Sequence, residues 1–162
     1  MQLRAGTAAD IPFIVAIEHS PALREYVGQW TSAEHAAAMD DPDTRYLIPL
    51  EESGDRLGSI ILRGLQSDHR NLELKRVVMQ SPGRGLGKLA LQLLLQKVFE
   101  EFGAHRLWLD VFESNTRAQH VYRSLGFQQD GIFREAVYRD GKYHSLVLMS
   151  MLDREYQARN NS

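Results

Sequence analysis

Two short stretches of this 162-residue chain carry residue types and spacings that could do chemistry. The first reads Pro82-Gly83-Arg84-Gly85-Leu86-Gly87-Lys88. Glycines let a backbone turn so that successive N–H groups converge on one point, and the start of a following helix adds partial positive charge. Arg84 and Lys88 add full charges, so the stretch suits a phosphate. It is neither the G-x-G-x-x-G of dinucleotide sites nor a Walker loop, because Leu89 follows Lys88 and Pro82 stands where an earlier glycine belongs. A tight strand-to-helix turn with incidental glycines would read the same way. The second stretch runs from Asn115 to Phe127. On a helix, Asn115, Ala118 and Tyr122 share one face. That face offers an amide, a small residue permitting close approach, and a phenol. It suits a ligand arm that carries amides and ends near the hydroxyl. The spacing equally fits a cap at Asn115 and a core tyrosine at 122.

The elements that must position these residues follow from periodicity. Leu72–Val78 alternates and then turns apolar, as a strand. Leu86, Leu89, Ala90, Leu93, Leu94, Val98 and Phe102 keep helical spacing, with Lys88, Gln92, Gln96 and Glu100 on the wet side and Gly103 as the stop. Arg106–Phe112 reads as a strand. Ser114 or Asn115 then caps a helix that ends at Leu125 and Gly126. Upstream, Met1–Ala5 is a strand, and Thr7 with Asp10 forms a capping box before a helix over Ile11–His19. Residues 22–39 read as helical, with Thr31 or Ser32 capping a second piece, and Asp40–Asp43 as a turn. Arg45–Leu50 and Arg56–Leu62 pair around Ser53-Gly54-Asp55. Ile132–Tyr138 and Tyr143–Leu152 form a hairpin about Asp140-Gly141. The order βααβββαβαββ specifies an α/β protein, α+β by some schemes, with a mixed sheet. No repeat or linker divides it, so residues 1–162 read as a single domain.

Composition narrows the function. The chain has no cysteine, which removes disulfides, thiolate zinc sites and a Cys nucleophile. Its six His show no metal-ligand pairing, so no metal is expected. A net charge of -2 argues against a nucleic-acid partner. With no leader segment and no long apolar run, the reading is a cytoplasmic protein with no membrane partner. The charge is nonetheless split. Residues 1–60 hold ten acids and four bases; residues 61–162 hold eleven acids and fifteen bases. Either a cationic ligand meets an anionic one, or two solvated faces differ in charge.

Together the two stretches resemble the GCN5-related N-acetyltransferases, the GNAT superfamily. The family pattern Q/R-x-x-G-x-G/A falls on Pro82 to Gly87, with proline where Gln or Arg is usual. Proline has no N–H, so one backbone donor is lost there. The pattern N-x-x-A-x-x-x-Y-x-x-x-G-F falls on Asn115 to Phe127. Leu107-Trp108-Leu109-Asp110-Val111 and Gly131-Ile132-Phe133-Arg134-Glu135 look like the branch of ribosomal-protein N-terminal and diamine acetyltransferases, which points to a bacterial enzyme.

The resemblance implies a twisted, mixed, mostly antiparallel sheet, splayed between parallel strands Leu72–Met79 and Arg106–Phe112 and flanked by about four helices. Acetyl-CoA, the implied co-substrate, would lie in the splay. Backbone groups at Val77 and Val78 would pair with the pantetheine arm. The amides of Gly83, Arg84, Gly85, Leu86, Gly87 and Lys88 would hold the pyrophosphate. Asn115 would bond the pantetheine, and Arg123 would reach the adenosine-end phosphates. Tyr122, against the cofactor, matches the family's acid for the leaving thiolate. Glu73 is the favoured base, although it also fits an exposed carboxylate paired with Lys75 or Arg76; His144 and Glu113 are in reserve. Acceptor contacts are expected from Tyr26, Trp30 and Tyr138, although Tyr26 and Trp30, four apart on a helix, also suit core packing. The implied function is direct transfer of acetyl to a primary amine, a peptide N-terminus or small amine, in a ternary complex. A non-catalytic acyl-CoA-binding or regulatory module is the other reading. Branch relatives are often dimers, and a homodimer is compatible with this chain.

Overall fold

The structure, a computed structural model, describes residues 1–161. Its strands are β1 (Gln2–Ala5), β2 (Thr44–Leu50), β3 (Gly58–Arg63), β4 (Asn71–Met79), β5 (Arg106–Phe112), β6 (Gln128–Arg139) and β7 (Lys142–Leu152). Its α-helices are α1 (Ile11–Glu18), α2 (Ser32–Asp40), α3 (Leu86–Gln96), α4 (Thr116–Leu125) and α5 (Asp153–Asn160). The strands form one sheet in the order β1-β2-β3-β4-β5-β7-β6. Every neighbouring pair is antiparallel except β4–β5. One face packs Leu47, Ile60, Leu62, Leu72, Leu107, Leu109 and Met149 against α3, α4 and α5. The other packs Tyr46, Ile48, Leu50 and Ile61 against α1 and α2.

Local chemistry sets most boundaries. The Thr7 N–H donates to Asp10 Oδ2 at 2.8 Å and starts a single 3₁₀ turn (Ala8–Asp10) that leads into α1. Thr31 and Glu34 cap α2 reciprocally. At the hairpin tip Asp140 and Gly141 both have positive φ, as a two-residue turn demands.

Four expectations change. Residues 22–30 form no helix. Their backbone bonds are isolated turns, such as Arg24 N–H to Ser20 O and Val27 N–H to Leu23 O, and Gly28 follows. The segment instead lies against Arg76, so closely that a Cβ on Gly28 would fall 2.3 Å from its Nη2. The third helix ends as α-helix at Gln96 and continues as a π turn over Lys97–Glu101, with Phe102 N–H bonded to Lys97 O. Its buried stripe is Ala90, Leu91, Leu94, Leu95, Val98 and Phe99, while Leu89 is exposed. Finally α5 raises the helix count to five. Its one buried apolar residue, Tyr156, stacks on Phe99 at 5.0 Å.

The feature that positions the site lies between β4 and β5. They pair only at Asn71–Arg106, Leu72–Leu107 and Glu73–Trp108. Beyond that point β4 stays with β3 and β5 with β7, and the two part. Opposite Ile61 and Leu62 the register of β4 skips from Arg76 to Leu74, leaving Lys75 as a bulge. A bulge bends its strand and sharpens the twist, which turns the rest of β4 away from β5.

Candidate active site

The glycine loop joins the end of β4 to α3. Gly83 and Gly85 have φ of +88° and +74°, which L side chains adopt only under strain. Gly87 already lies in the first turn of α3. The loop is exposed, with Arg84 and Lys88 beside it. A guanidinium that the sequence reading missed stands closest: a Cβ on Gly83 would lie 3.0 Å from Arg117 Nη2. Arg117 is in the first turn of α4, where a cation opposes the helix dipole. That misplacement is the signal that could have found it. Arg123, at the other end of α4, is exposed and bonds Gln129 at 3.1 Å. Asn115 caps α4 through Oδ1, which accepts the Ala118 N–H at 3.2 Å and leaves its NH2 donors free.

Tyr122 lies on the same helix face. It is buried, with its ring edge-on to Phe127 at 5.7 Å. Burial pushes its phenol up to about 12, and the Asp110 carboxylate adds to the effect. Across the gap, Glu73 occupies the last paired position of β4. Period-two alternation puts Glu73 on the α1–α2 face, since Leu72 and Leu74 pack into the α3 core. The same argument puts Trp108, Asp110 and Phe112 on that face of β5, between Leu107, Leu109 and Val111. Burial raises the Glu73 carboxyl above its usual range, Lys75 and Arg63 oppose this, and Asp110 adds to it. Burial raises Asp110 too, against the pull of Lys75. Asp110 thus acts on both Glu73 and Tyr122. It was legible as a lone acid inside an apolar strand, but its partners were not.

The residues expected to meet the acceptor come from segments far apart in sequence. Tyr26 lies 6.2 Å from the Phe112 ring, and His144 lies edge-on to Phe112 at 5.2 Å. Trp30 is half-buried against the α1–α2 core, over Arg76 at 4.5 Å and beside His35 at 5.3 Å. Tyr138 is 65% exposed and pairs with Tyr143. Alternation places it on the hairpin face opposite to Arg139 and His144, away from Phe112. Glu113 is exposed beside an open hollow of about 670 Å³ under β6, lined with Ile132, Arg134, Glu135 and Ser145. A second hollow of about 370 Å³ adjoins Arg84 between Phe13 and the β2–β3 turn. Neither coincides with the gap between β4 and β5.

Beneath the 20–31 segment lies a buried polar network. Glu18 and His35 are fully buried. Glu18 Oε1 is 2.7 Å from His35 Nε2, Oε2 accepts from Arg76 at 2.7 Å, and His35 Nδ1 is 2.6 Å from Tyr46 Oη. The network ties α1, α2, β2 and the β4 bulge together.

A twisted sheet opened between two parallel strands, with a glycine loop at one end of the gap and a phenol beside it, defines an acyl-transferase architecture. The family described as the acetyltransferase (GNAT) domain matches residues 1–128. The chain belongs to this family and is an N-acetyltransferase. A spermidine N(1)-acetyltransferase of Escherichia coli K12 is 26% identical over 174 residues, spanning 100% of this chain and 91% of that one. An uncharacterized N-acetyltransferase of Mycobacterium bovis is 30% identical over 82% of this chain and 83% of its own. Among solved structures, a variant of the spermidine N-acetyltransferase SpeG of Vibrio cholerae superposes with a TM-score of 0.86 at 22% identity, covering 99% of each chain.

Proposed function

We propose that this enzyme transfers the acetyl group of acetyl-CoA to a primary amine, with Tyr122 as acid and Glu73, supported by Asp110, as proton acceptor. The observation that carries this reading is the gap. Beyond Glu73 the β5-facing edge of β4 is unpaired, and it runs past Val77 and Val78 to the glycine loop. That edge fits an extended arm bearing amides. The loop, with Arg84, Lys88 and Arg117, fits a pyrophosphate; Pro82 removes one N–H, and the nearby guanidiniums compensate. Asn115 keeps two donors for the arm. Arg117, which stands beside Gly83, is proposed alongside Arg123 for the phosphates.

Acetyl-CoA supplies an activated thioester. The chain's own residues must take a proton from the incoming ammonium, polarise the carbonyl and protonate the leaving sulfur. Raised carboxyls suit the first task, because a base that is too weak cannot deprotonate an amine. The phenol of Tyr122 keeps its proton at neutral pH and holds it for the sulfur. Direct attack needs no Cys, in keeping with a chain that has none. The reaction fits the cytoplasm, where acetyl-CoA is made and used. The E. coli relative is named for spermidine, which puts polyamines among the first acceptors to try, beside peptide N-termini.

The test is thiol release from acetyl-CoA with N-terminal Ser and Ala peptides, polyamines, free amino acids and aminoglycosides. Turnover on one class, abolished in Tyr122→Phe, is expected. Tight CoA binding without turnover on any acceptor would instead support the non-catalytic module.

A further inference from the structure

The hairpin carries a fixed positive charge to the acceptor side of the gap. Phe112 lies two residues, roughly 7 Å, beyond Asp110 on the same face of β5. The Arg139 guanidinium stands 5.4 Å from the Phe112 ring centroid. Its Nη1 donates to Glu25 O at 3.1 Å, so the side chain bridges the β6–β7 hairpin and the segment between α1 and α2. His144 Nε2, 3.3 Å from Arg139 O, braces the backbone beneath it. Among the described residues Arg139 forms no ion pair within 4.0 Å. An uncompensated cation therefore sits on an aromatic face, one step outward from the reacting carboxylates. On the amine-transfer reading, an acceptor whose amine reaches Glu73 and Asp110 meets this cation about two residues further along the same face of β5.

We infer that Arg139 is a specificity-determining residue: it occupies the position that a second ammonium would take and so favours acceptors with one positive charge followed by an uncharged segment. This rests on the amine-transfer reading above. An aromatic ring flanked by Tyr26 and His144 would otherwise welcome an alkylammonium. With Arg139 in place, a like charge a few Å away weakens binding of a dication by roughly tenfold or less at surface screening.

The experiment compares an alkyl monoamine with the α,ω-diamine of matched length, in the wild-type protein, Arg139→Gln and Arg139→Lys. For the wild type, kcat/KM should favour the monoamine about 3–10-fold. Arg139→Gln should erase that preference through a lower diamine KM, with the KM for acetyl-CoA unchanged. Arg139→Lys, which keeps the charge, should retain it. A wild-type preference for the diamine, an unmoved ratio in Arg139→Gln, or a Lys variant that behaves like Gln would each overturn the assignment. Absence of turnover with both amines would overturn the amine-transfer reading and this inference with it; turnover with an unmoved ratio would overturn this inference alone.

Discussion

Glu73 and Asp110 ionise less readily than free carboxylates because the surrounding protein displaces part of their water, and Asp110 further discourages Glu73. A carboxyl raised in the folded state is held most comfortably when protonated. Above its folded pKa it therefore costs stability relative to the unfolded chain. Glu73→Gln should raise Tm at pH 7, and the gain should fade once the medium is acidic enough to protonate the wild-type carboxyl. The same change should lower kcat roughly 10²-fold if Glu73 takes the proton. A thermal scan beside a rate measurement checks both; a variant that is less stable and still active would place Glu73 in packing alone. Tyr122→Phe removes only a hydroxyl. It should lower kcat by roughly 10²–10⁴-fold while leaving acetyl-CoA binding near the wild-type value, read by titration calorimetry.

At the scale of elements, the glycine loop and the buried network make different demands. Gly85 has open space around it, so a methyl there meets nothing and the cost is conformational only. Gly85→Ala should lose about 1–2 kcal/mol from its left-handed φ, and CoA affinity with it as the loop amides turn. Chemical denaturation and a CoA titration would report the two effects. Glu18→Gln keeps the shape of the network and removes the charge that faces Arg76. It should destabilise by about 3–5 kcal/mol, visible as a lower urea midpoint at unchanged m. Elements with local signatures were legible in the sequence. Thr7 with Asp10, a cap at Thr31 or Ser32, Asp140-Gly141 and the two motif stretches all state their geometry within a few residues. The 22–30 segment misled because its turns use the same i−3 and i−4 acceptors as a helix. α5 was silent because Asp153–Asn160 has only Tyr156 to bury, and its partner Phe99 lies in another element. Asp110, Arg117 and Arg139 were missed for a related reason. Asp110 and Arg139 gain meaning from neighbours on other strands and segments, and Arg117 from the glycine loop; periodicity carries no record of which elements adjoin.

For the whole molecule, the acidic first third proves partly structural. Asp10 and Glu18 are buried against arginines, and Asp43 accepts from the Gly64 and Gln66 backbone. The free negative charge on that third is therefore smaller than the raw sum. Asp10 also marks the acid limit of the fold. Burial opposes its charge, but Arg4, the Thr7 N–H and Arg56 together hold its carboxyl well below the usual range. Its stabilisation is present above the unfolded value near 4 and is lost as pH falls toward the folded one. Asp10→Asn should cost about 2–3 kcal/mol at neutral pH and progressively less as the medium approaches pH 2, measured by denaturant unfolding across pH.

The three residue pairs that join β4 to β5 divide the sheet into halves, β1–β4 and β5–β7, clamped where Arg106 bonds Asn71 and Asp130. Within the sheet the halves meet only at that short pairing, while one core packs beneath both. A ligand arm seated along the free edge of β4 would brace the open end as a splint does. Amide hydrogen exchange at Val77–Met79 and Leu109–Phe112 should then slow on adding CoA, while β1 and β2 exchange as before.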